Sequence, residues 1–170
     1  MEIERKYLFE ELPADKEELM VLHLTQGYVS RDPVIRVRRT IKSEACQDGG
    51  VSTTEERYIL TVKGSGKSVR EEMELRLTKE QYEGLMPKVS GRIIDKFRYL
   101  VPLGPECDGT GKGTKLVAEA DVFQGDLSWL KMVEVEFPDI ETMNAFVKPD
   151  WFGKDVTEDV RYQNSNLSRE

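Results

Sequence analysis

Arg70-Glu71-Glu72-Met73-Glu74-Leu75-Arg76-Leu77 sets the reading of the whole chain. Successive side chains of a strand point to opposite faces. In this stretch Arg70, Glu72, Glu74 and Arg76 share one face, while Met73, Leu75 and Leu77 share the other. The same period of two recurs on either side of it. Glu2, Glu4 and Lys6 oppose Ile3 and Tyr7; Arg36 and Arg38 oppose Ile35 and Val37; Thr61 and Lys63 oppose Leu60 and Val62. Further on, Lys96 and Arg98 oppose Phe97 and Tyr99; Glu119 and Asp121 oppose Ala120 and Val122; Glu134 and Glu136 oppose Val133, Val135 and Phe137.

These patterns predict strands near 2–9, 22–30, 34–41, 55–63, 69–77, 91–102, 115–124 and 131–137. Short helices fit near 13–20, 78–86 and 139–147, the second opened by a capping box of Thr78 and Gln81. Residues 155–167 read as a final helix or an ordered tail. Two stretches rich in Gly, Ser, Thr and Asp, 43–54 and 104–114, read as long protruding, mobile loops. No linker or internal repeat divides the chain, so 1–170 is read as a single domain.

An antiparallel sheet with one solvated face explains any one of these strands. It explains the set less well. The charged faces carry eight acids and eight bases, where a solvated face also draws on Ser, Thr, Asn and Gln. Closing the sheet puts the charges in a wet lumen and the apolar face outward beneath the helices. The expected fold is therefore α+β, mainly β: an eight-stranded antiparallel β-barrel with a charged lumen and a few covering helices. Buried charges are costly unless paired or bound to ligand. Arg and Lys suit phosphate oxygens, and clustered carboxylates suit hard cations such as Mg²⁺ or Mn²⁺. A polyphosphate carrying its metal satisfies both sets. Lys6, Arg36, Arg38, Lys63, Arg70, Lys96 and Arg98 are the candidate phosphate ligands, whereas Arg76, late in its strand, is expected in solvent.

Composition narrows the partners. Of the 170 residues 34% are charged, and the net charge is -7. Such a chain has no general attraction for nucleic acid or an anionic membrane, and no apolar run is long enough to span a bilayer. The charged opening lacks signal-peptide character, so the reading is cytoplasmic. Cys46 and Cys107 are expected as exposed thiols in a reducing compartment. His23, the only histidine, reads as an ordinary strand residue. Gly64-Ser65-Gly66-Lys67-Ser68 imitates a phosphate-binding loop but joins two strands, and Thr61 stands where that motif needs glycine.

Glu2-x-Glu4-x-Lys6 resembles the signature of the CYTH superfamily, the triphosphate tunnel metalloenzymes. The resemblance continues through Gln26-Gly27-Tyr28, Arg36-Val37-Arg38, Thr61-Val62-Lys63-Gly64, Arg70-x-Glu72-x-Glu74 and Lys96-x-Arg98-Tyr99. It ends with Glu119-x-Asp121-x-Phe123, Glu134-Val135-Glu136-Phe137, Gly153-Lys154-Asp155-Val156-Thr157 and Arg161-Tyr162. Ser128-Trp129-Leu130 and Glu158 depart from the pattern, off the charged faces. The resemblance implies an eight-stranded tunnel, a triphosphate-containing small molecule as substrate and dependence on Mg²⁺ or Mn²⁺. It implies Glu2, Glu4 and Glu136 as metal ligands and, with Lys6, as the catalytic set. Glu134, Glu72, Glu74, Glu119 and Asp121 would hold a second metal, position water or brace the bases. Lys154 and Arg161 match its C-terminal motif and are read as closing over the tunnel. Tyr28 either orients substrate or packs in its strand.

The leading expectation is a metal-dependent triphosphatase acting on inorganic triphosphate. An adenylate cyclase or a thiamine triphosphatase of the same family would use the same residues. A non-catalytic polyphosphate-binding module is the rival of another class, though a pure anion binder gains nothing from acids beside its ligand. A homodimer stays open.

Overall fold

The computed structural model of the chain describes residues 2–45, 51–64 and 69–169. Ten strands form one antiparallel sheet: β1 (Glu2–Phe9), β2 (Met20–Arg31), β3 (Val34–Ala45), β4 (Val51–Lys63), β5 (Val69–Arg70), β6 (Glu72–Leu77), β7 (Ser90–Pro102), β8 (Val117–Phe123), β9 (Lys131–Glu136) and β10 (Phe152–Asp155). Among the described residues three α-helices accompany them: α1 (Lys79–Leu85), α2 (Ile140–Ala145) and α3 (Asn164–Leu167). Among the described residues no helix is long and apolar enough to cross a membrane.

The strand order is β10-β1-β9-β8-β7-β2-β3-β4-β6, with β5 pairing back onto β1. The mainly antiparallel β fold with a few helices is as expected, but the sheet has ten strands among the described residues and is not a closed eight-stranded ladder. The stretch 69–77 is split at Glu71: β6 pairs with β4, and β5 pairs with β1 through Glu2↔Arg70 and Ile3↔Val69. The two sides of the sheet thus meet at a seam where one short strand changes partner. Lys63 on β4 spans the same seam, its Nζ 2.8 Å from Glu2 Oε1 and 2.9 Å from Glu72 Oε2.

Register carries parity across the sheet. Glu4↔Glu136, Lys6↔Glu134, Glu119↔Glu134, Arg98↔Asp121, Gln26↔Arg38, Arg36↔Thr61 and Thr61↔Glu74 are directly opposed, so the charged faces coincide. On the other side Ile3, Tyr7, Ala118, Ala120, Val133 and Val135 pack with Phe137, Phe146 and Phe152, next to α2. Asp139 caps α2 by accepting from Thr142 N at 2.7 Å. Val37 and Tyr58 pack against Tyr82 of α1, whose capping box is present in both halves. Cover is incomplete at β6, where Met73 and Leu75 are 65% and 58% exposed.

Ile3 is 3% exposed in the first cluster, one residue from Glu2 and Glu4. Ile3→Asn should destabilise the fold by roughly 2–5 kcal/mol, since it deletes packing and buries an amide without a partner. A denaturant melt should shift accordingly, while the folded fraction keeps its activity. An unchanged midpoint would contradict the facing of β1.

Several expectations are corrected. The helix expected near 13–20 is a single 3-10 turn, Lys16–Glu18. The described parts of 43–54 are paired, not looped: β3 and β4 stay partnered as far as Ala45↔Val51, after a register shift between Lys42 and Ser43. Loop 104–114 is tied down: buried Asp108 accepts from Thr114 N at 2.7 Å and from Thr110 N at 3.2 Å. Cys107 is 3% exposed within the first cluster, not an exposed thiol. The tail forms β10, a 3-10 turn and α3. Cys46 and residues 65–68 of the loop-like Gly-Ser segment lie outside the described residues.

Candidate active site

The charged face encloses a cavity of about 390 Å³. β1 contributes Glu2, Glu4 and Lys6; β2 and β3 contribute Gln26, Tyr28, Val34, Arg36 and Arg38; β4 and β6 contribute Lys63, Glu72 and Glu74. β7, β8 and β9 add Lys96, Arg98, Glu119, Glu134 and Glu136, and the tail adds Gln163, Asn164 and Ser165. The lumen is charged along only part of its length. At one end the same strand faces carry apolar groups: Tyr28, Phe123 and Met132 form a cluster with Val156 and Leu167, against which Leu8 and Val34 pack.

The charges are matched within the cavity. Lys6 Nζ lies 2.5 Å from Glu134 Oε1 and 3.0 Å from Glu4 Oε1. Burial opposes the Lys6 charge, but Glu134 and Glu4 outweigh it and raise its pKa. Arg98 is the hub. Its Nε donates to Asp121 Oδ1 at 2.7 Å, its second terminal nitrogen donates to Asp121 Oδ2 at 2.8 Å and Glu134 Oε2 at 2.9 Å, and its first meets Glu119. Burial works against the Arg98 cation, yet Asp121 and Glu119 hold its pKa well above the ordinary value. Glu134 is likewise opposed by burial, and Lys6, Lys96 and Arg98 hold it well below the carboxylate range. Lys96 contacts Asp121, but burial dominates and lowers its pKa.

Arg36 and Arg38 are held more loosely. Arg36 donates to Thr61 Oγ1 at 2.8 Å and stands 3.6 Å from Glu74, while Arg38 is 3.9 Å from Glu74. Both Nε groups are buried without a hydrogen-bond partner. Burial, Arg36 and Arg98 together disfavour the Arg38 charge. An anion entering here gains two unused donors and relieves that repulsion. Tyr28 Oη accepts from Gln26 Nε2 at 3.2 Å, and burial pushes its pKa up to about 12. It is therefore a neutral donor at physiological pH.

Among the described residues, no three acidic, histidine or cysteine side chains already form a group that could hold an ion. The donor chemistry nevertheless fits a hard cation. Partial desolvation, then Glu119, Glu2 and Glu4, raise the pKa of Glu136, a repulsion that a divalent ion beside these carboxylates removes. Seven carboxylates line the cavity against six cations. A polyanion entering alone would add to an existing excess of negative charge.

Not every expected residue reaches the cavity. Asp121 is 0% exposed and stands behind the wall, bracing Arg98 and Lys96. Arg76 is exposed, and the side chain of Arg70 lies outside the described residues. Lys154 sits in separate surface cavities, one of them shared with Arg5, Glu158 and Asp159. Arg161 is 75% exposed and paired to Asp159 at 2.6 Å. His23 lies off the cavity, its Nε2 2.6 Å from Asp95 Oδ1 and its ring stacked on Phe97. The sequence reading gave no site role to Gln26, Val34 or residues 163–165. For Gln26 the signal was present: it lies two residues before Tyr28, on the face of Arg38.

A sheet wrapped around interleaved acids and bases, with unused guanidinium donors among them, has the chemistry of a site for a polyanion. No family profile matches the chain, but individual relatives do. An inorganic triphosphatase of Nitrosomonas europaea is 36% identical over 167 residues, covering 98% of this chain and 96% of its own length. An inorganic triphosphatase of Acetivibrio thermocellus is 32% identical over 146 residues, covering 84% and 77%. The crystal structure of the inorganic triphosphatase NE1496 aligns with a TM-score of 0.62 at 35% identity, covering 99% of this chain and 97% of that one. The chain belongs to the inorganic triphosphatase family, a family of hydrolases.

Proposed function

We propose that this chain hydrolyses inorganic triphosphate with the help of Mg²⁺ or Mn²⁺, and that it is a member of the CYTH superfamily working as one domain, 1–170, in the cytoplasm. The observation that carries the reading is the charge balance of the cavity. Its six cations are already matched by seven carboxylates, so it suits a polyanion that arrives with compensating metal. Lys6, Arg36, Arg38, Lys63, Lys96 and Arg98 bind the phosphate oxygens, joined by Arg70. Glu2, Glu4 and Glu136 hold the metal. A bound divalent ion supplies Lewis-acid charge stabilisation at phosphate oxygens.

The protein's own groups do the remaining work. The arginines align the chain of phosphates and spread charge over the terminal phosphoryl group as it transfers. Water attacks that phosphorus, the bridging P–O bond breaks, and phosphate and pyrophosphate leave. Tyr28 donates a hydrogen bond to an oxygen deep in the cavity. Asp121 and Glu134 fix the Arg98 fork.

Phosphate release from triphosphate, pyrophosphate, ATP and thiamine triphosphate, each with Mg²⁺ and Mn²⁺, tests this reading. Triphosphate should be the best substrate, and excess EDTA should abolish release. Full turnover in EDTA removes the metal role, cyclic AMP from ATP favours a cyclase, and preference for thiamine triphosphate moves the substrate assignment.

A further inference from the structure

One end of the cavity is closed by the tail of the chain. Gln163, Asn164 and Ser165 line it, and Asn164 Oδ1 lies 3.5 Å from Lys96 Nζ. Behind them Leu167 sits in the apolar cluster of Phe123 and Met132. A single arginine clasps this segment to the end of the sheet. Arg31 donates from Nε to Ser165 O at 3.1 Å, and from a terminal nitrogen to Ser168 O at 3.0 Å and Ser168 Oγ at 2.9 Å. Its other terminal nitrogen reaches Ser90 Oγ at 2.7 Å. Arg92 N adds a bond to Ser168 O at 2.7 Å. Gly91 has φ 73°, and a Cβ there would run into the Ser168 carbonyl and Arg31. The clasp therefore depends on glycine at this position.

The opposite, exposed rim is acidic: the side chains of Glu74 and Glu119 are 45% and 35% exposed, and Glu136 is exposed. A chain of phosphates meets a neutral wall of amides and hydroxyl at one end and carboxylates at the other. We propose that residues 163–165, held by Arg31, are a stop that sets how many phosphates the cavity takes, so that triphosphate is accepted and longer linear polyphosphates are refused. The amides and hydroxyl receive the terminal phosphate without adding charge, and a fourth phosphate would have to displace the stop or extend beyond the bases to the exposed carboxylates of the rim. This deepens the triphosphatase reading and rests on it.

The test compares inorganic triphosphate with linear inorganic tetraphosphate in the full chain, in Arg31→Ala and in the double variant Gln163→Ala, Asn164→Ala. The wild type should favour triphosphate in kcat/KM by at least about tenfold, and both variants should narrow that preference to roughly threefold or less. The double variant leaves the clasp intact, so it answers the question even where Arg31→Ala lowers the melting point too far. Equal use of the two anions by the wild type, or an unchanged preference in a folded double variant, overturns the stop. If the wild type hydrolyses neither, the proposed function fails, and calorimetric titration of the same anions with Mg²⁺ reads the preference instead. Tighter triphosphate binding that is lost in the double variant then supports the stop, and equal binding overturns it.

Discussion

Glu4→Gln should lower triphosphate turnover by at least about a hundredfold, an effect of several kcal/mol on charge stabilisation at the phosphates. Glu4 is 6% exposed, opposes Glu136 in register, and contributes to the repulsion that raises the Glu136 pKa. The amide keeps the shape and removes the charge a hard cation needs. Stability should respond differently. Lys6 loses one partner at 3.0 Å but keeps Glu134 at 2.5 Å, while Glu136 loses a repulsive neighbour. The metal-free variant should melt within a few degrees of the wild type, or above it. Parallel assays of phosphate release and thermal melting decide the matter, and a fully active Glu4→Gln would sink the metal assignment.

Arg98→Met should lose activity and stability together. Removing the guanidinium leaves Asp121, 0% exposed, with Lys96 alone, and takes a partner from Glu119 and Glu134. Breaking a buried pair from one side costs about 3–5 kcal/mol. Arg38→Ala is the contrast. Among the described residues Arg38 is ion-paired to Glu74 at 3.9 Å and has a buried Nε without a partner, so little in the empty protein depends on it. Loss of its phosphate contact should cost about 1.5–3 kcal/mol in kcat/KM with scarcely any change in the urea midpoint. Equal destabilisation by the two substitutions would contradict the division between a structural hub and a ligand-ready arginine.

Parity made the wall of the cavity legible before any fold was known, because a period of two survives every local accident of a strand. It did not reveal where the charged zone stops. Tyr28, Phe123 and Met132 lie on the same faces as Arg36, Lys96 and Asp121, and their role as an apolar floor depends on Val156 and Leu167 arriving from the tail. The seam was hidden for a related reason. Nothing in the alternation of 69–77 shows that Glu71 is where the backbone exchanges β1 for β4. Residues 163–165 carry no charge and no period, so only tertiary contact exposes them. Cys107 was misjudged because a Gly-rich stretch reads as solvent-facing, whereas Asp108 folds that stretch back through its own backbone bonds.

The placement of β1 also bears on biosynthesis. β1 pairs with β9, and Lys6 meets Glu134 across 128 residues of sequence. At synthesis rates of about 5–20 residues per second, β1 leaves the ribosome on the order of ten seconds before its partner exists. During that interval Ile3, Tyr7 and Phe9 have no wall to join. The hairpin of β3 and β4 is local and closes early, while the edge that carries Glu2, Glu4 and Glu136 is completed last. Chaperone demand and aggregation during translation should therefore concentrate on the first strand, and slowing elongation between β4 and β9 should lower the yield of folded enzyme more than slowing it earlier.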